Sequence, residues 1–138
     1  MPKHLWSIPC QQVLTDRETN AVSYINCIEG FAVTELPAPF PPIFIGTLWS
    51  KTAQKDAVEM RIRVSAPSGK IIHSHSHEPK VFGLYSRYRI NLHISGFDIA
   101  EEGVYTFIIE HKEEDDWIED CLLPIPITKI NITASESE

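Results

Sequence analysis

Three histidines alternate with serines in the segment His73-Ser-His-Ser-His77, which is the sharpest chemical pattern in the chain. In a β-strand, residues i, i+2 and i+4 project from the same face at intervals of about 6.5–7 Å. Imidazole is a common ligand of Zn²⁺, and a further ligand can come from a neighbouring strand. One hypothesis is therefore a zinc site built on His73, His75 and His77.

The same segment has a simpler interpretation as a polar strand. Ser74 and Ser76 would occupy the opposite face of such a strand, and serine is a poor core residue. A strand at the edge of a sheet, or an extended loop, would accommodate both faces. Under this interpretation the histidines bind Zn²⁺ or Ni²⁺ only adventitiously, and the protein has no cofactor.

Acidic residues surround a tryptophan near the C-terminus. Glu113-Glu-Asp-Asp116 precedes Trp117, and Glu119 and Asp120 follow it. Tryptophan is among the residues that contribute most to binding at protein interfaces. One hypothesis is therefore a loop that docks a basic partner through Trp117, Glu113, Glu114, Asp115 and Asp116. The alternative is a solvated hairpin tip, and a Ca²⁺ site is disfavoured because the EF-hand ligand spacing is absent.

Composition narrows the range of functions. The sequence contains no GxSxG, P-loop, HExxH or dinucleotide-binding motif. A formal charge of −7 argues against nucleic-acid binding, which depends on basic patches. No run approaches the roughly 20 apolar residues of a membrane helix. We therefore expect a non-enzymatic protein whose partner is another protein, with a second copy of the chain as one candidate.

The cysteines and the N-terminus indicate a compartment. The first ten residues lack the continuous apolar stretch of a signal peptide. Cys10, Cys27 and Cys121 are odd in number and widely spaced. Without a secretion signal, we expect them to be reduced thiols in the cytoplasm, with Cys27 as a small buried hydrophobe.

Period-2 alternation dominates the elements that must position these residues. Segments 58–64 and 88–94 place apolar side chains on one face and polar ones on the other, which is typical of half-buried antiparallel strands. Further strands are predicted at 5–14, 21–36, 43–50, 70–77, 105–111 and 117–127. About eight strands at this spacing predict an all-β fold, an immunoglobulin-like antiparallel β-sandwich of 7–9 strands.

The segment Glu102-Gly-Val-Tyr105 is typical of the corner between two strands of such a sandwich. A tyrosine there can bury its ring and donate its hydroxyl to backbone a few residues upstream. Phe107 stands where antibody-type domains carry a cysteine, so no inter-sheet disulfide is expected. Trp49 is predicted to fill the core, and Pro124 and Pro126 predict an edge strand because proline lacks a backbone donor.

These features together resemble a known group of proteins. The segments that carry the resemblance are Glu35-Leu-Pro-Ala-Pro-Phe-Pro-Pro-Ile-Phe44, the turn Ala66-Pro-Ser-Gly69, the corner Glu102-Gly-Val-Tyr105 and the proline-bearing last strand. The chain resembles a family of short uncharacterised bacterial cytosolic proteins. The resemblance implies an immunoglobulin-like scaffold in the cytoplasm and no particular activity. We expect a single domain over residues 1–132 and a disordered acidic tail over 133–138.

Overall fold

The computed structural model describes residues 2–51, 56–81 and 86–131. The predicted acidic tail, 133–138, lies outside the described residues. Within them the chain forms eleven β-strands and no helix. The all-β prediction is therefore confirmed.

Eight of the strands have six or more residues and overlap the predicted ones, but the strand predicted at 21–36 is divided into two, of which the longer ends at Cys27. The eight strands are β1 (Lys3–Thr15), β2 (Val22–Cys27), β5 (Ile43–Ser50), β6 (Ala57–Ser65), β7 (Ile71–Val81), β8 (Arg87–Ile94), β10 (Gly103–Glu113) and β11 (Asp116–Lys129). The others are β3 (Phe31–Val33), β4 (Ala38–Pro39) and β9 (Asp98–Ile99). β3 lies within the predicted strand 21–36, whereas the two-residue strands β4 and β9 are too short for an alternating pattern to reveal them.

The strands form two larger sheets and one small pair. The four-stranded sheet has the order β2-β1-β5-β8, and the five-stranded sheet has the order β3-β11-β10-β6-β7. All neighbours pair antiparallel except β3, which runs parallel to β11. The remaining two-residue strands, β4 and β9, pair with each other.

One hydrophobic core joins the buried faces of the two larger sheets. Its central residues are Ile43, Ile45 and Trp49 of β5, Met60, Ile62 and Val64 of β6, Ile90, Leu92 and Ile94 of β8, and Tyr105, Phe107 and Ile109 of β10. The predicted inward positions of segments 58–64 and 88–94 are thus confirmed. Trp49 is fully buried, and its indole N–H donates to the hydroxyl of Thr47 at 2.8 Å.

The corner before β10 has the predicted tyrosine hydrogen bond. Tyr105 is buried, and its hydroxyl donates to the carbonyl of Glu101 at 2.7 Å. Gly103 has φ of 135°, and a Cβ there would lie 2.7 Å from Cγ of Pro67. Glycine is therefore required both by the backbone angle and by the packing of the turn against the corner.

Removing the Tyr105 hydroxyl tests this corner. We expect Tyr105→Phe to lower the free energy of unfolding by about 0.5–1.5 kcal/mol, since the ring stays buried and the substitution removes one short bond to the Glu101 carbonyl and a long one from the Glu101 amide. Urea denaturation measures the change. Val104→Ala, at a neighbouring exposed position, serves as the control and should shift stability by less. An unchanged midpoint for Tyr105→Phe would contradict the role of the hydroxyl.

Two predictions at the sheet edges have different outcomes. Cys27 is exposed, so the prediction of a buried thiol there is wrong. It ends β2, which is the outermost strand of its sheet, and Cys10 on the adjacent strand is the buried cysteine. β11 pairs with β3 only from Ile127 onwards, so Pro124 and Pro126 lie where β11 has one described neighbour, as predicted.

Candidate functional site

The three histidines lie on β7, at the edge of the five-stranded sheet. The register pairs His73 with Val64, His75 with Ile62 and His77 with Met60. Directly paired residues share one face of a sheet, and those three β6 residues belong to the core. The histidines therefore share a face, as predicted, and that face is the inner rim of the sheet rather than its outer surface.

The surroundings of His73 are apolar. Its ring stacks on Phe97 with 4.9 Å between the ring centroids. Burial lowers the pKa of His73, and the neighbouring His75 lowers it further, so the neutral ring is favoured. Within residues 2–51, 56–81 and 86–131, no group of three or more His, Cys, Asp or Glu side chains is arranged to hold a metal ion. Zinc binding remains a prediction.

The acidic hairpin joins β10 to β11. Glu114 and Asp115 form its two-residue turn, and Glu114 has φ of 57°. Trp117 lies on the strand, where the Arg61 guanidinium is 4.3 Å and the Lys112 ammonium 5.9 Å from its ring centroid. The tryptophan therefore packs against cations of its own sheet, while the turn carboxylates and Asp116 are exposed.

A buried carboxylate holds Arg61 and the nearby Arg63 in place. Glu110 is 4 % exposed and accepts hydrogen bonds from Arg61 at 2.8 Å and from Arg63 at 2.7 Å. Burial raises the pKa of Glu110, but the hydrogen bonds and charges of the two arginines outweigh it, so the pKa is lowered. Glu110 is therefore ionised and orients Arg61 against Trp117.

A second ion cluster, which is centred on the buried His111 and was not predicted from the sequence, lies on the inner side of the same hairpin. The ring of His111 bonds to Asp120 through Nδ1 at 2.7 Å and to Glu113 through Nε2 at 2.8 Å. Carboxylates accept hydrogen bonds, so each ring nitrogen donates and the ring is an imidazolium. Burial lowers the pKa of His111, but the bonds to both carboxylates outweigh it and the pKa is raised.

A β-bulge places Asp120 in this cluster. The β10–β11 register shifts between Ile109, which pairs with Cys121, and Glu110, which pairs with Glu119. Asp120 is the extra residue and has no partner in the ladder. The edge of the Trp49 ring lies against His111, with 5.7 Å between centroids. Because both ring nitrogens donate in this ion triad, the imidazolium has no free lone pair and accepts no proton in this state.

The outer face of the four-stranded sheet carries an aromatic cluster, here called the Tyr24 cluster and consisting of Trp6, Tyr24, Gly46, Arg89 and Asn91. Arg89 donates to the Tyr24 hydroxyl at 2.7 Å, and that hydroxyl donates to Asn91 at 3.0 Å. The Trp6 ring meets the Tyr24 ring edge-on at 5.6 Å, and the guanidinium lies 5.5 Å from each ring.

Gly46 permits the position of the tyrosine. A Cβ at Gly46 would lie 2.7 Å from Cζ of the Tyr24 ring, closer than packed atoms approach. The ring therefore extends from β2 across to β5 and reaches β8 with its hydroxyl. Trp6 remains 36 % exposed, so the cluster presents an aromatic and a cationic group to solvent beside β8.

The edges of the two sheets differ in how they are protected. β8 pairs with β5 through all eight of its residues without a register shift, and no described strand lies on its other side. β7, the other long edge, has two register shifts and carries Pro79. Bulges and proline discourage pairing of an edge with another chain, and β8 has neither. β8 is therefore the less protected edge.

Comparison of the chain with protein-family models yields no match, and comparison with curated proteins yields none. The part of the chain that the structure describes contains no helix long and apolar enough to cross a membrane.

Proposed function

We propose that this protein is a non-enzymatic interaction module of the cytoplasm that binds an extended segment of a protein partner along β8. The observation that carries the proposal is the regular, unprotected edge of β8 beside the Tyr24 cluster. An extended segment can add to a sheet edge through main-chain hydrogen bonds, while neighbouring side chains select its sequence. The immunoglobulin-like β-sandwich is the scaffold of this proposal.

Support for that scaffold comes from topology and from the corner. Two mostly antiparallel sheets share one core, and the Tyr105 hydroxyl bonds to backbone four residues upstream. Both properties are typical of immunoglobulin-like domains. The three thiols are free, which agrees with a reducing compartment.

The side chains beside β8 indicate the chemistry of the segment. Tryptophan, tyrosine and arginine are the residues most enriched in interface hot spots, and Trp6, Tyr24 and Arg89 lie together on the outer face. Arg87 adds a second cation at the start of the strand. Complementary charges steer association, so we infer that the segment carries an acidic residue opposite these arginines.

The acidic hairpin is the alternative surface through which the protein could bind a protein partner. Its exposed groups are Glu114, Asp115 and Asp116, which would favour a basic partner. Trp117 and Glu113 take part less readily, since they are engaged with Arg61 and His111. Self-association through β8 of two copies is a further form of the edge proposal.

Peptide selection followed by hydrogen exchange tests whether β8 or the acidic hairpin binds the partner segment. A displayed library of extended nine-residue peptides is selected against the protein, and the best binder is added at saturation. We expect alternate amides of Arg87–Ile94 to gain protection, namely those that point away from β5 and become hydrogen-bonded to the added peptide. Protection confined to residues 113–118 would instead identify the hairpin as the binding surface and overturn the edge proposal.

An arginine pair provides the matched variants for this binding. We expect Arg89→Ala to weaken peptide binding about tenfold or more, since truncation of a central hot-spot residue costs more than 1 kcal/mol. Arg17→Ala removes an exposed arginine from the β1–β2 turn and should leave affinity unchanged. Titration calorimetry measures both. Equal affinities for the two variants would count against the Tyr24 cluster.

The alternative function, zinc binding through His73, His75 and His77, is supported by their common face. Elemental analysis of protein purified without a histidine tag or a nickel column tests it. Under the interaction proposal we expect substoichiometric metal that replacement of all three histidines by alanine does not change. One zinc ion per chain that the triple variant loses would establish the alternative.

A further inference from the structure

We propose that Cys10 and Cys27 form a reversible oxidation site, in which a disulfide links β1 to β2 after reaction with a low-molecular-weight disulfide. The two cysteines are direct partners in the antiparallel ladder, and both are free thiols. Opposed residues in such a ladder have Cα atoms about 4.5–5.5 Å apart. A disulfide requires about 4.4–6.8 Å. The ladder therefore brings the pair within bonding range without backbone movement.

The position of the pair within the ladder keeps this geometry defined. The ladder continues past the cysteines on one side, where the Ile28 amide donates to the Pro9 carbonyl at 2.9 Å. It continues on the other side with Gln12 opposite Ile25. Directly opposed residues project from the same face of the sheet, so the two cysteine side chains are neighbours on one face. Burial raises the pKa of Cys10, and the nearby Cys27 thiol raises it further.

The two thiols differ in access, which assigns them different roles. Cys10 is 0 % exposed, whereas Cys27 is exposed. An oxidant in solution therefore reaches Cys27 first, and Cys10 acts as the resolving thiol. Cys121 lies opposite Ile109 in the other sheet, so it is not part of the pair.

The reaction is a pair of thiol–disulfide exchanges. The Cys27 thiolate attacks one sulfur of the oxidant, whose S–S bond breaks and releases the first small thiolate. Cys10 loses its proton to solvent and attacks Sγ of Cys27, which forms the protein disulfide and releases the second small thiolate. The two cysteines lose two electrons and two protons in total, and the oxidant becomes two thiols.

The disulfide site does not depend on peptide binding along β8, but its oxidation affects the Tyr24 cluster beside that strand. The crosslink closes the hairpin formed by β1 and β2, and β2 carries Tyr24. Oxidation therefore holds in place the strand from which the tyrosine reaches Asn91.

Exposure of folded Cys121→Ser protein to oxidised glutathione tests the site. We expect complete loss of both remaining thiols and a peptide linking Cys10 to Cys27 in the mass spectrum after alkylation and digestion. In the same background, Cys10→Ser should stop at a stable glutathione adduct on Cys27. Cys27→Ser should leave Cys10 unreacted over the same time.

Two results would overturn the proposal. One is a glutathione adduct that persists on Cys27 while Cys10 remains available, because the resolving step would then not occur. The other is a crosslink that forms only in urea, because the native ladder would then not supply the geometry. Far-UV circular dichroism before and after oxidation shows that the protein stays folded, and dithiothreitol should restore both thiols.

Discussion

Replacing His111 with leucine is expected to lower the free energy of unfolding by about 3–5 kcal/mol at neutral pH, because breaking a buried ion pair leaves an uncompensated buried charge. The imidazolium is the cation between Asp120 and Glu113, at 2.7 and 2.8 Å. The leucine side chain fills the space but supplies neither donor. Urea denaturation followed by tryptophan fluorescence measures the loss.

Matched variants distinguish the stability contributed by the His111 triad from the effect of removing any charge in the hairpin. Asp116→Asn removes an exposed carboxylate from the same hairpin and should change stability by less than about 0.5 kcal/mol. If His111→Leu is no more destabilising than Asp116→Asn, the two short contacts contribute no net stability. Asp120→Asn should lie between the two, since Asp120 keeps its position in the bulge and loses only its charge.

The same triad predicts the direction of the pH dependence. The folded-state pKa of His111 is raised above its ordinary value of 6.5. Its contribution to stability is therefore fully present below about pH 6.5 and is lost as the pH rises through the folded-state pKa. The wild-type protein should lose stability as the pH rises from about 6.5 through the folded-state pKa, whereas His111→Leu should not.

The titration of His4 changes stability with pH in the opposite direction to that of His111, so the two contributions must be measured separately. Burial lowers the pKa of His4, although Asp120 raises it and His111 adds to the lowering. A histidine with a lowered folded-state pKa costs stability as the pH falls, so His4 makes the protein more stable as pH rises through the acidic range. Repeating the titration in a His4→Gln background isolates the His111 effect. A loss of stability above about pH 6.5 that persists in His111→Leu would contradict the assignment to the triad.

Substituting alanine for Gly46 is expected to destabilise the protein by about 1–3 kcal/mol, the usual cost of overpacking a close contact. The added Cβ would meet the Tyr24 ring at Cε1, Cζ and the hydroxyl oxygen. Displacement of the ring should break its hydrogen bonds to Arg89 and Asn91. We therefore expect lower stability together with weaker binding of any β8 ligand.

A double-mutant cycle gives this prediction its control. Tyr24→Ala removes the ring, so Gly46→Ala should cost much less in that background than in the wild type. Additive effects of the two substitutions would mean that the methyl group clashes with something other than the ring. Fluorescence of Trp6, which meets the ring edge-on, provides an independent readout of its position.

Local patterns were enough to predict most strands and the positions of individual side chains. Alternation in 58–64 and 88–94 correctly separated core from surface, since side-chain direction in a strand depends only on sequence position. The Tyr105 corner was predictable for a similar reason, because its hydrogen bond to Glu101 spans four residues. The common face of the three histidines followed from the same rule.

Contacts between strands could not be predicted from local sequence patterns. The His111–Asp120 pair depends on a bulge, which shifts the register by one residue and which no local pattern signals. Trp117 was expected at a binding tip, yet its ring packs on Arg61, a residue of a different strand. Tyr24 reaches Asn91 only because Gly46 lies between them in the assembled sheet.

The sequence by itself therefore determined the all-β class, most of the strands and the inward and outward faces of regular segments such as 58–64 and 88–94. Tertiary structure decided which strands are neighbours, and with them the ion triad, the Tyr24 cluster, the open edge of β8 and the opposed thiols of Cys10 and Cys27. The physical reason is that alternation is a property of one strand, whereas register is set between strands by bulges, turns and the packing of the shared core.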